Sequence, residues 1–127
     1  MSRKGQIALE FMSLTIIGLI LALVILVGFV VVLQDTLEDR KAAEIKDLGF
    51  QIQRELILAS EVHEGYSRDI DIPEYIGKYD YTIINNERVL ILTVDDVDYP
   101  FPIPKTNGTI KKGTNTIKNI GGEVVIE

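Results

Sequence analysis

The chain has no cysteine and no tryptophan, a single histidine (His63), and no proline before Pro73. Without cysteine there is no disulfide framework and no thiolate metal site, so any folded part must be held by packing alone. One histidine leaves no room for a two-histidine metal motif, and no Gly-rich phosphate loop or nucleophile elbow is present. The formal charge is −6, which argues against nucleic acid, or an anionic lipid surface, as the main partner. With no constellation of reactive groups, the sequence reads as a non-enzyme without metal or cofactor.

Charge is also missing from one long stretch. Phe11 to Leu33 carries none, and its only polar side chains are Ser13 and Thr15. As a helix rising about 1.5 Å per residue it would measure roughly 35 Å, enough to cross a bilayer core of about 30 Å once. Arg3 and Lys4 precede the run, whereas Asp35, Glu38 and Asp39 follow it. Positive charge stays on the cytoplasmic side, so the expected orientation is N-terminus inside and the bulk of the chain outside. The run exceeds the roughly 7–15 apolar residues of a secretory signal, and "VVVLQDT" offers no small-x-small cleavage site. The apolar helix is therefore expected to be retained.

Beyond Gln34 the pattern turns amphipathic. Leu37, Ile45, Leu48, Ile52, Leu56, Ala59 and Val62 recur mostly at steps of three and four, the mark of one helical face. The simplest reading is a single helix from about Gln6 to about His63, with Gly49 as its weakest internal point and Gly65 as its stop. After Gly65 the pattern becomes that of strands. "YSRDIDIP" alternates; "YDYTIIN" and "NERVLILTV" follow, with a hairpin turn placed at Asn85-Asn86-Glu87. "VDYPFPIP" carries three alternating prolines and is expected at a sheet edge. "KTNGTIKKGTN" reads as loop, and "TIKNI" with "EVVIE" as a last pair around Gly121-Gly122. The expected fold is α+β. A long hydrophobic-then-amphipathic helix (6–64, with 6–33 as the span) carries a small antiparallel β domain (65–127) packed on its distal half, which supplies apolar surface so short a domain lacks.

Candidate sites outside the helix are few. His63 reads as a helix-end residue near carbonyls rather than a catalyst. Asp95, Asp96 and Asp98 cluster, but a calcium site needs more oxygen ligands and a glycine-shaped loop, so they read as a solvated strand end. Five tyrosines (Tyr66, Tyr75, Tyr79, Tyr81 and Tyr99) read as core and rim of the small domain. Asn107-Gly108-Thr109 is the one N-x-S/T sequon and places a possible N-glycan on an outward loop.

The amino terminus says more. "RKGQIALEF", followed by an apolar helix, resembles the leader of prepilins, and "KGQIALE" resembles the archaeal class III signal peptide. The resemblance covers Arg3, Lys4, Gly5, Gln6, Glu10 and the helix; "YSRDIDIPEYIG", "PFPIP" and "GTNTI" are softer likenesses to archaeal pilin β domains. It implies a type IV pilin-like fold, with residues 1–5 as leader. Arg3 and Lys4 would serve leader recognition, and a membrane prepilin peptidase would cut between Gly5 and Gln6. Glu10 would then be the fifth residue of the mature chain, where pilins carry glutamate. The family reading sets it against the freed α-ammonium of Gln6 in a neighbouring subunit, fixing axial register. The implied partners are other copies of the chain in a helical homopolymer, the peptidase, the pilus assembly platform and, before assembly, the cytoplasmic membrane. The implied place is an adhesive filament on the archaeal cell surface.

Two other readings remain open on the residues alone. One is a single-span anchor with an external binding domain that never polymerises; it explains the span and the β domain but not "KGQIALE". The other, within the family, is an archaellin-like or minor filament subunit.

Overall fold

A computed structural model describes residues 3–127. One α-helix, α1 (Arg3–Glu61), is followed by seven strands: β1 (Ser67–Ile72), β2 (Thr82–Asn86), β3 (Val89–Val94), β4 (Val97–Pro102), β5 (Thr106–Asn107), β6 (Gly113–Ile120) and β7 (Glu123–Ile126). The protein is thus α+β. The chain divides after Arg40 into two compact units, and α1 contributes to both.

The first unit, up to Arg40, is helix alone. From Gln6 to Arg40 every side chain is exposed, including the whole run Ile7–Leu33. The helix already includes Arg3, Lys4 and Gly5, so it begins ahead of the expected start at Gln6.

The second unit, residues 41–127, has the core. Ile45, Gly49, Ile52, Leu56 and Ala59 of α1 are buried, at steps of four, three, four and three, which keeps them on one helical face. Leu48 is partly buried, while Leu37 and Val62, expected on the same stripe, are exposed. The buried face meets two sheets. One is four-stranded, in the order β1-β6-β7-β5; the other is three-stranded, in the order β2-β3-β4. Leu90, Leu92 and Val94 from β3, Phe101 from β4, Ile117 from β6 and Val124 and Ile126 from β7 join the helical residues in a single cluster. β3, β6 and β7 alternate between buried and more open positions, as a half-buried pleat requires.

Three local expectations need correction. The β2–β3 turn lies at Glu87-Arg88, not at Asn85-Asn86-Glu87, because the register pairs Asn86 with Val89. That register keeps Leu90 and Leu92 inward and frees the Asn85 side chain for a tertiary role. Its amide donates to the Gly108 carbonyl at 2.9 Å, and its oxygen accepts from the Ile110 N–H at 2.8 Å. The domain is not wholly antiparallel: β5, in a stretch read as loop, runs parallel to β7, pairing Thr106 with Val124. Finally, β6 begins at Gly113, inside that same stretch. The proline-bearing strand β4 does lie at an edge, with β3 as its only strand neighbour among the described residues, and Pro100 and Pro102 are exposed.

Two hairpins use two-residue turns with both residues in the left-handed region. At Gly121-Gly122 φ is 62° and 86°, and at Asp95-Asp96 it is 49° and 62°. This is the turn that matches strand twist, and glycine and aspartate are residues that tolerate it.

Candidate functional site

The residues singled out at the amino terminus lie together in the first unit. Gln6, Glu10 and Ser13 follow at i, i+4 and i+7, so they share one face of α1. The Gln6 side-chain amide nitrogen lies 3.4 Å from Glu10 Oε1, and Ser13 Oγ donates to the Glu10 carbonyl at 2.9 Å. Thr15 Oγ1 donates to the Phe11 carbonyl at 2.8 Å, and Thr36 Oγ1 to that of Val32, also at 2.8 Å. The hydroxyls of the apolar run are thus satisfied within their own helix, which lets the surrounding surface face a medium without water.

Glu10 is the single ionisable side chain between Lys4 and Asp35. Around and beyond it, Ile7, Leu9, Phe11, Leu14 and Ile17 are all more than half exposed, on every side of the helix. An apolar surface of this extent marks contact with a membrane or with other protein. The helix is long and apolar enough to cross a membrane, and no side chain from Ile7 to Leu33 is buried. A core helix of a soluble fold would have its apolar side covered; the stretch of α1 from Ile7 to Leu33 has none covered. Length and burial together make the segment compatible with membrane insertion.

In the second unit Asn107 lies on β5 with its side chain exposed, as is Thr109 of the same sequon. Gly108 between them has φ of 107°, and a β-carbon there would stand 2.2 Å from the Ile126 carbonyl oxygen. Only glycine fits, and the Asn85 clamp fixes the loop on its other side.

Asp95 and Asp96 form the β3–β4 turn, and Asp98 accepts from Thr93 Oγ1 at 2.6 Å. Asp95 also pairs with Lys41 of α1, whose ammonium lies 4.7 Å from the centre of the Tyr79 ring. The hydrogen bond to Asp95 holds Lys41 above its ordinary lysine range, aided by the charge of Asp95. Lys112 bonds Asp80 at 2.7 Å and holds that carboxyl below its usual range, while its ammonium sits 4.5 Å from the Tyr81 ring centre. His63 is exposed beyond the end of α1, and its carbonyl accepts from the Tyr66 N–H at 3.3 Å.

Sequence reasoning missed the buried asparagines. Asn119 donates to the carbonyls of Ala59 at 2.8 Å and Val62 at 2.9 Å, and accepts from the Gly122 N–H at 3.0 Å. A strand side chain therefore caps the end of α1, using carbonyls that a helix terminus leaves unsatisfied. Asn115 likewise bonds both the N–H and the carbonyl of Lys111. The only signal in the sequence is the spacing of Asn115, Ile117 and Asn119, which shows these asparagines on the same strand face as an isoleucine.

Compared with family models, curated proteins and solved structures, the chain matches none.

Proposed function

We propose that the chain is a structural subunit, a pilin, of an archaeal type IV-like adhesive surface filament. The observation that carries this reading is the combination of "KGQIALE" with an apolar helix from Ile7 to Leu33 that is exposed on all sides, in a chain whose second unit has its own core. A helix apolar all round is suited first to lipid and then to a bundle of like helices. In lipid such helices gain little by associating, because acyl chains are as apolar as leucine. Once drawn out of the membrane, the same surface is excluded from water only by other subunits.

On this reading the chain inserts with its N-terminus inside. A prepilin peptidase cuts between Gly5 and Gln6, and an assembly platform adds the subunit to a growing filament. The helix 6–33 becomes filament core, and Glu10 sets register between neighbours. The β unit faces outward, where it supports adhesion and where a glycan on Asn107 would project freely. The chain performs no chemistry of its own.

The test is the amino terminus of the full chain produced in cells that carry the peptidase. Gln6 as first residue supports the pilin; an intact Met1–Gly5 supports the single-span anchor instead. Gly5→Val should abolish cleavage, since a peptidase must approach the backbone closely there. Mature filaments from Gly5→Val would sink the leader assignment.

A further inference from the structure

We infer that the side of α1 turned away from the sheets, between Ala43 and Glu61, is a further contact between copies of this chain, and that its charges set neighbouring copies parallel and seven residues apart. The inference rests on the proposed filament. It adds a register device far along the helix from Glu10.

A step of two residues carries a side chain about 200° around a helix. Asp47 lies two residues from Ile45 and from Gly49, Arg54 two from Ile52 and from Leu56, and Glu61 two from Ala59, and these five neighbours are all buried. The three charges therefore point away from the core, and all three are exposed. Seven residues are close to two full turns, so Asp47, Arg54 and Glu61 fall on one line whose signs alternate. Among the described residues none of them is in an ion pair within its own chain. Beside this line runs a second with the same step, Ala43, Phe50 and Ile57, also exposed. Phe50 and Ile57 are large apolar side chains left uncovered by the fold. An apolar line repeating every seven residues and flanked by charges is a surface suited to another helix.

The alternation of sign decides which alignment that helix takes. Two parallel copies held level would set Asp47 against Asp47, Arg54 against Arg54 and Glu61 against Glu61. A displacement of seven residues, about 10 Å along the axis, instead sets Arg54 of each copy between Asp47 of one neighbour and Glu61 of the other. It also levels Phe50 with Ala43 of one neighbour and with Ile57 of the other. Exposed ion pairs add little affinity; their effect is to reject the wrong alignments, while the apolar line gains by leaving water. Each copy uses different groups above and below, so the contact stays open and continues into a fibre. An antiparallel pair would also join Asp47 to Arg54, but it would close as a dimer. Copies that leave one membrane with their N-termini on the same side enter the assembly parallel.

The test uses filaments of the full chain, which has no cysteine of its own, so introduced cysteines report alone. A disulfide needs α-carbons within about 7 Å of each other. Phe50→Cys together with Ile57→Cys should give a ladder of multimers on oxidation, because each copy is linked both above and below. Phe50→Cys alone should give no dimer; a dimer would mean level or antiparallel copies and would overturn the inference. Charge reversal checks the line without touching the core. Arg54→Glu should lower filament yield several-fold in about 0.1 M salt and much less in about 1 M salt, where screening shortens to about 3 Å. Inverting all three charges, with Asp47→Arg, Arg54→Glu and Glu61→Arg, should restore the yield. An unchanged yield from Arg54→Glu, or no recovery in the triple variant, overturns the inference and leaves the proposed filament standing. Mature chains of unaltered sequence that never polymerise overturn both.

Discussion

The Phe101 ring occupies the place where a β-carbon on Gly49 would be. Such a carbon would lie 2.1 Å from Phe101 Cζ, with two further ring atoms within 2.6 Å. Gly49 is thus a seat for the ring, and Phe50 closes it from the side, edge-on, with ring centres 5.4 Å apart.

Gly49→Ala should therefore destabilise the second unit. Alanine gains up to about 1 kcal/mol in helix propensity, but forcing a methyl into a packed core costs about 1–3 kcal/mol. The second term wins because Phe101 is 97% buried and three of its ring atoms stand where the methyl would go. Denaturant unfolding of the full chain in detergent should show the loss, and Phe101→Leu in the same background should restore part of it.

Asn119→Ala should cost about 1–3 kcal/mol, the usual penalty for buried polar groups left without partners. It uncaps the Ala59 carbonyl and frees the Gly122 N–H together. Amide exchange should quicken at the end of α1 and at the β6–β7 turn at once. A variant that loosened only one of the two would break the link between them.

The second unit should also weaken in alkali. The Tyr81 hydroxyl donates to the Pro73 carbonyl, and burial, with the charges of Glu74 and Asp80, pushes its pKa up to about 12. Between its ordinary 10 and about 12 the folded chain keeps this proton while the unfolded chain has lost it. Stability is then unaffected by this group below pH 10 and falls as pH rises from 10 through about 12. Tyr81→Phe should flatten that slope, measured as unfolding midpoint against pH with phenolate absorbance followed alongside.

Glu10→Ala should leave cleavage before Gln6 intact, because the change lies a full helical turn beyond the proposed scissile bond. Filament yield should fall roughly tenfold or more, as a lost partner for a buried polar group costs about 1–3 kcal/mol. Amino-terminal sequencing and quantitative electron microscopy of the same preparation would check both halves.

The helix was legible in the sequence because its signals are local. The apolar run, the stripe from Ile45 to Ala59 and the change of pattern at Gly65 each lie within a few turns of chain. The strands were legible where alternation was clean, as in β3. The roles of Asn85 and Asn119 are not legible in the sequence, because they are set by partners far away along the chain. Asparagine after a strand reads as turn, yet Asn85 is held by Gly108 and Ile110, and Asn119 by Ala59 and Val62. The stretch that holds β5 reads as loop because two residues carry no periodicity; it is a strand because β7 lies beside it. At the amino terminus the residue types were readable, but the closeness of the Gln6 amide to Glu10 needed the helix to be built.

The sheet order β1-β6-β7-β5 has a consequence in time. β7 lies between two strands that precede it in the sequence, and among the described residues β5 pairs with no other strand. A chain emerging from a ribosome cannot close this sheet until residue 126 is free, so β5, whose Thr106 N–H bonds the Glu87 carbonyl at 3.0 Å, lacks its strand partner through some twenty residues of further synthesis. The four-stranded sheet is therefore the last part of the unit that can close, after every residue of α1 and of the sheet β2-β3-β4 has been made.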